Sequence, residues 1–272
     1  MTLHKIASIV SVYKNDSLRT LQPAIESLLN QTQEVDIFVQ EDGSVQEDVD
    51  KYLSDLYQEQ KIHYLGKRKK NFGLAVSLNE LLDVVIKKGY EYIARMDSDD
   101  ISIVNRIEKQ YQFMLKNEDI DVVGGYIEEF GDGFEYQKVV RYPLKHEEMY
   151  RFFAKRVPLA HVSAFYRKSF FDKAGLYPVS SPTNEDTLMW LEGFKNGCKF
   201  ANISEVLIKV RVSSDFFSRR GGAKKAISDF KDRVRVIREL GYNYNAYGYA
   251  AALLIVNLVP GWAKKILYKR LR

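Results

Sequence analysis

Apolar and polar positions follow two alternating rhythms over the first hundred residues. Short apolar, β-branched runs at Ile6–Tyr13, Val35–Val39, Ile62–Leu65 and Tyr90–Met96 have the length and composition of buried strands. Between them the spacing turns helical. Leu18, Leu21, Ile25, Leu28 and Leu29 fall on one face of a helix that Asp16 or Ser17 would cap. Further helices are predicted over Val49–Gln58 and from about Leu74 to Ile86. Strand and helix in alternation predict βαβ units and a parallel sheet.

Beyond residue 101 the pattern is less regular. A helix is predicted at Asn105–Lys116, then strands at Val122–Phe130 and Glu135–Tyr142 around Gly131-Asp132-Gly133. A helix at Glu147–Ala154, a short strand at Ser163–Tyr166, a helix at Asp186–Lys195 and a strand at Val206–Val212 follow. A loop-like stretch, Ser213–Gly222, leads into a long basic helix, Ala223–Leu240. Ala250–Val259 is apolar but about half the length needed to span a bilayer. The N-terminal apolar run lacks a small-residue cleavage site and reads as a first strand, not a signal peptide.

Ligands of open parallel sheets bind outside the carboxyl ends of the strands. Two acidic turns sit there: Glu41-Asp42-Gly43-Ser44 and Asp97-Ser98-Asp99-Asp100. Clustered carboxylates are stable when a cation holds them. Oxygen donors with no His or Cys beside them suit Mg²⁺ or Mn²⁺, which complete their shell with water and phosphate oxygens. Taken alone, such aspartates more often serve as a solvated turn or as a helix N-cap at Ile101.

Composition adds a charge asymmetry. The chain has 272 residues, 46% of them hydrophobic and 28% charged, an ordinary globular balance with room for a sizeable core. Its net charge is +5, yet residues 205–272 alone hold 15 Lys and Arg against 5 acids, and no acid follows Glu239. An acidic body with a basic C-terminal quarter points to a polyanionic neighbour. Cys198 is the only cysteine, so no intrachain disulfide forms, as expected in a reducing compartment.

Six features occur in one order: Ser11-Val12-Tyr13 closing the first strand, Glu41-Asp42-Gly43-Ser44, Asn71-Phe72-Gly73-Leu74-Ala75 with Asn79, Met96-Asp97-Ser98-Asp99-Asp100, His161–Lys168 followed by Ala174-Gly175-Leu176-Tyr177, and Asn184-Glu185-Asp186. This series, over about residues 5–215, resembles the family 2 glycosyltransferases. The resemblance implies an α/β GT-A fold. A Rossmann-like nucleotide-binding half (about 1–100) would be fused to an acceptor half (101–215), with a basic helical tail at 216–272. It implies inverting transfer of a sugar from a nucleotide diphosphate sugar. Val12, Tyr13, Asp42, Arg68, Asp97 and Arg211 would contact the nucleotide, and Asp99 would bind Mn²⁺ or Mg²⁺. Asp186 would be the general base, with Glu185 and Trp190 toward the acceptor. Uridine diphosphate donors come first and deoxythymidine diphosphate rhamnose second.

The series departs from the family pattern at one place. The family often has an arginine-x-histidine after the last core strand; here Arg211 is followed by Ser213 where the histidine would stand. Arg219 and Arg220, in a candidate lid with Gly221 and Gly222, are alternative diphosphate contacts. In the tail, Ile227, Phe230, Val234 and Ile237 would pack one helix face and leave a basic one. Tyr242–Tyr249, Ala250–Val259 and the segment from Trp262 to Arg272 suit contact with an anionic membrane surface. The expected acceptor is a polyprenyl-diphosphate-linked saccharide of O-antigen or capsule assembly, handled at the cytoplasmic face of the cell membrane. Nucleic acid is not expected, because the acidic body would repel it. A nucleotidyltransferase is disfavoured, since Ser11–Asn15 carries no glycine- and arginine-rich signature. A non-catalytic nucleotide or membrane module would leave the acidic motifs unused.

Overall fold

The structure, a computed structural model, describes residues 5–131, 138–180, 184–212 and 223–258. Strands β1 (Ile6–Tyr13), β2 (Asp36–Asp42), β3 (Tyr64–Lys67) and β4 (Tyr92–Asp97) alternate with helices α1 (Leu18–Leu29), α2 (Glu47–Gln58) and α3 (Leu74–Lys87). All four strands run parallel. The residues of β1, β2 and β4 are almost wholly buried because helices cover both faces, while edge strand β3 is only partly so. The second half comprises β5 (Ile101–Ser102), α4 (Arg106–Lys116), β6 (Val122–Phe130), β7 (Lys138–Val140), α5 (His146–Phe153), a 3-10 turn at His161–Ser163 and β8 (Phe165–Arg167). After these come α6 (Lys168–Ala174), α7 (Glu185–Lys195) and β9 (Phe200–Arg211). Among the described residues these strands form one sheet in the order β3-β2-β1-β4-β8-β6-β9-β5, with β7 on β6.

The register aligns the acidic turns. Tyr13 pairs with Asp42, and Ser11 pairs with Asp97. Asp42 and Asp97 are the last residues of β2 and β4, so both strands run into the acidic turns beyond the apolar runs that predict them. Beyond β4 the sheet changes direction, since β8 is antiparallel to both β4 and β6. One buried cluster runs from Ile9 and Phe38 through Leu78 to Tyr166, Trp190 and Phe200. The two halves of the chain therefore share a core as well as a sheet.

Several elements differ from expectation. β9 begins at Phe200, six residues early, because a register shift opposite Gly125–Ile127 interrupts it and polar Ser204-Glu205 mask its start. Ser163–Tyr166 divides between the 3-10 turn and β8, and neither β5 nor α6 is foreshadowed. The turn between β6 and β7 lies outside the described residues, but the two strands do pair antiparallel.

The C-terminal region forms α8 (Ala223–Glu239) and α9 (Ala246–Leu258), packed on the body. Ile237 is buried, and Phe230 and Val234 are partly so, while Ile227 is 47% exposed and does not join the packed face. Arg233, expected on the solvated basic face, is buried and donates to the Phe153 carbonyl. Among the described residues no helix is long and apolar enough to cross a membrane.

Candidate active site

Asp42 organises the loop after β3. Its Oδ1 accepts from Arg68 Nη2 (2.6 Å) and the Phe72 backbone N–H (2.8 Å). Its Oδ2 accepts from Asn71 Nδ2 (3.0 Å) and the Gly73 N–H (2.9 Å). A carboxylate held by four donors is a fixed point. Gly43 follows at φ +87°, and a Cβ there would sit 2.8 Å from the Asn71 nitrogen, so only glycine lets the two loops meet. Arg68 also bonds Ser77 and Glu80 and lies 5.4 Å over the Phe72 ring. The predicted pair Asp42 and Arg68 is thus joined directly at the strand ends. Lys67, exposed at the end of β3, pairs with Asp50 and Glu41.

The aspartate turn is built differently. Asp97 is gripped by both guanidinium nitrogens of buried Arg95, two residues earlier on the same face of β4. Asp100, 2% exposed, accepts the Arg211 backbone N–H at 2.7 Å. Burial, then the charges of Asp97 and Asp99, hold its pKa well above the usual carboxylate range. Arg211 Nε donates to the Asp99 carbonyl (3.0 Å), which ties β9 to this turn. Asp16 joins the group rather than capping α1: it accepts the Tyr13 N–H at 2.8 Å, and burial pushes its pKa up to about 6 against hydrogen bonds from Tyr13 and Ser98, with Asp99 and Asp97 adding to the rise.

Glu185 and Asp186 open α7. Burial pushes the Glu185 carboxyl up to about 7, with Asp186 and Asp97 adding to the rise and Arg95 opposing it. Glu185 therefore lies within electrostatic reach of the aspartate turn. Asp186 Oδ1 accepts the Thr187 N–H (2.6 Å) and hydroxyl (3.2 Å), a geometry that fixes it at the helix start. Trp190 needs correction. It is fully buried against Tyr166, Phe170 and Phe200, so it offers no face to a sugar and packs the core instead.

Several site residues have no signal in the sequence pattern. Arg95 reads as an interruption of a strand. Arg106, 0% exposed, donates to the carbonyls of Arg95 (2.9 Å) and Val162 (3.1 Å), fastening β4 to the 3-10 turn. Burial, then Arg95, lowers its pKa to about 9. His161 Nε2 and Tyr166 Oη both bond Tyr177 Oη, at 2.9 and 2.7 Å. Asn79 brackets the Tyr177 backbone by accepting its N–H (2.8 Å) and donating to its carbonyl (2.9 Å). Asn79, His161 and Tyr177 were visible as motif letters; their joint role as a brace was not. Ser213, Arg219, Arg220, the candidate lid and Trp262 lie outside the described residues.

Among the described residues, no three His, Cys, Asp or Glu side chains converge to chelate an ion alone. The donors nonetheless fit a hard cation. Asp16, Asp97, Asp99, Asp100 and Glu185 gather around Arg95 and Arg211, and the pKa values of Asp16, Asp100 and Glu185 are raised first by burial and then by neighbouring carboxylates. Oxygen donors gathered in this way suit Mg²⁺ or Mn²⁺ sharing its shell with substrate phosphates.

Residues 8–175 match the family model described as glycosyl transferase family 2. The chain is 28% identical over 275 residues to an Escherichia coli UDP-Gal:alpha-D-GlcNAc-diphosphoundecaprenol beta-1,3-galactosyltransferase, spanning 98% of this chain and 96% of that protein. It is 31% identical over 232 residues to an uncharacterized glycosyltransferase of Haemophilus influenzae, covering 84% and 83% of the two chains. S. aureus TarS 1–349 in complex with UDP-GlcNAc shares the fold at TM-score 0.61 and 16% identity, over 87% of this chain and 70% of that one. With the GT-A architecture and the strand-end carboxylates in place, the chain belongs to the family 2 glycosyltransferases.

Proposed function

We propose that the protein transfers a sugar, with inversion, from a UDP-sugar to a saccharide carried on a polyprenyl diphosphate, in surface polysaccharide assembly. The observation that carries this reading is the shared edge on which Asp42, Asp97 and the aspartate turn lie, with Glu185 in electrostatic reach of Asp97 and Arg95. The galactosyltransferase named above, similar along nearly its whole length, supports both the donor and the lipid-linked acceptor.

In this reading Tyr13 and Arg68 wall the nucleoside, and Asp42 fixes Arg68. Val12, expected to touch the nucleotide, is 0% exposed and packs the core beneath instead. Asp97, fixed by Arg95, offers its outer lone pairs to the ribose. Asp99 would hold Mn²⁺ or Mg²⁺, whose chemistry is to neutralise charge on the leaving diphosphate. Arg211 stands beside that charge. Asp186 accepts the acceptor hydroxyl's proton as the oxygen attacks the anomeric carbon opposite the leaving group. Glu185, its pKa raised, sets the local field and faces the acceptor. The tail helices bring the enzyme to an anionic membrane surface. A deoxythymidine diphosphate rhamnose donor is the second reading within the same site.

The test is transfer from UDP-galactose, UDP-glucose, UDP-N-acetylglucosamine and deoxythymidine diphosphate rhamnose to a synthetic N-acetylglucosaminyl diphosphate lipid, with and without Mn²⁺. Inverted product from one UDP-sugar, lost on chelation, is expected. Retained configuration, or full activity without metal, would overturn the mechanism.

A further inference from the structure

A cavity of about 350 Å³ opens between β7 and α5, apart from the strand-end cleft. Lys138, Arg141 and Arg156 line it together with Val140, Tyr142 and Phe152. No acidic residue lines it among the described residues. Arg141 and Arg156 are exposed, and neither guanidinium has a carboxylate partner among the described residues. Like charges gathered around one concavity repel, and an anion relieves that cost. The apolar residues add a surface that a free inorganic anion would not use.

Its position supplies a direction. Lys138 pairs with Glu129 on β6, and the next β6 residue, Phe130, pairs with Arg211, which is held by Asp100. One end of the cavity therefore lies near the aspartate turn. The other wall is α5, which also carries the tail. Tyr150 Oη donates to the Leu240 carbonyl at 2.5 Å, Ala154 packs with Ile237, Ala246 and Ala250, and Lys155 lies 4.8 Å over the Tyr249 ring. Beyond it α9 exposes Ile255 (64%) and Leu258 (55%) to solvent.

We infer that this cavity holds the diphosphate of the polyprenyl-linked acceptor, an inference that rests on the acceptor class proposed above. Arg141 and Arg156 grip the phosphates as planar donor forks, and Lys138 adds a point charge. Val140, Tyr142 and Phe152 take the first isoprene unit. The lipid continues toward the exposed face of α9, and the saccharide extends to Glu185 and Asp186. The donor's own diphosphate has the same chemistry, so the test must separate the two.

Calorimetric titration of the full chain with farnesyl diphosphate, a short soluble polyprenyl diphosphate, makes that separation. Binding is expected in the presence of saturating UDP and Mn²⁺, and farnesol should bind far more weakly. The double variant Arg141→Gln/Arg156→Gln should weaken farnesyl diphosphate about 100-fold, roughly ten-fold per charged contact. Its melting temperature and UDP affinity should stay unchanged, since both side chains are exposed. Competition between UDP and farnesyl diphosphate would overturn the inference, as would equal affinity in the double variant. If UDP binds and farnesyl diphosphate does not, the inference falls while the donor reading stands. If UDP fails to bind as well, both fall.

Discussion

Two acidic turns close two strands of the same sheet, and they are wired in opposite ways. The Asp42 carboxylate is filled by four donors from one loop. At the Asp97–Asp100 turn, buried acid accumulates instead: Asp100 and neighbouring Asp16 resist ionisation, and the adjacent Glu185 does too. The first turn is complete within the protein and gives the cleft its shape. The second gathers Asp16, Asp97, Asp99 and Asp100 in one place, where a bound cation would offset their mutual repulsion. Identical residue types at equivalent strand ends thus divide into a carboxylate filled by its own loop and a cluster of carboxylates, and the donors around each decide which.

The largest expected effect tests the completed turn. Asp42→Ala strands Arg68, Asn71 and two backbone N–H groups, and should cost about 4 kcal/mol of unfolding free energy in a urea titration. A loss below 1 kcal/mol would show that the four donors do not depend on it. The open turn should behave in reverse. Asp99→Asn removes one of several repelling charges, so stability without metal should hold or rise, while transfer activity falls about 100-fold through the lost charge stabilisation. Parallel losses of stability and activity would erase the contrast.

A smaller effect separates burial from site chemistry. Glu41, 4% exposed on β2, has its pKa pushed by burial from 4.5 up to about 7, with Lys67 opposing the rise. The folded state therefore holds a proton that the unfolded state releases, and wild-type stability contributed by this group is present below about 4.5 and lost as pH rises to about 7. Glu41→Gln should flatten that fall and gain about 3 kcal/mol relative to wild type at pH 8 compared with pH 4. A pH-independent difference would contradict it. The smallest effect concerns Trp190: Trp190→Phe should cost about 1 kcal/mol of packing and leave the acceptor KM unchanged, whereas a raised KM would restore a sugar-binding role.

The parallel half of the fold was legible because its strands are short apolar runs punctuated by acidic turns. Register then placed Asp42 and Asp97 on one edge, as strand-end reasoning requires. Where the sheet reverses at β8, sequence pattern was less informative, since three-residue strands leave no periodicity to detect. Arg95 and Arg106 escaped notice for a different reason. A buried arginine is tolerated only when its donors are filled: Asp97 and Gln110 are local partners, but the Val162 and Ala164 carbonyls that complete the set for Arg106 meet it only in the folded chain. Asp16 looked like a helix cap because capping and the observed bond to Tyr13 call for the same residue at the same place. Trp190 misled because its position one turn past Asp186 says nothing about which way the helix faces.

The most direct test of the central claim is the melting temperature of the full chain with UDP, Mn²⁺, both or neither, for wild type and Asp99→Asn. A ligand that binds only the folded state raises the midpoint by mass action. The account predicts a rise with UDP and Mn²⁺ together, larger than the sum of the separate shifts, and loss of that synergy in Asp99→Asn. An equal UDP shift with and without metal, or full synergy in the variant, would contradict the claim that the open aspartate turn is where a cation and a nucleotide diphosphate meet.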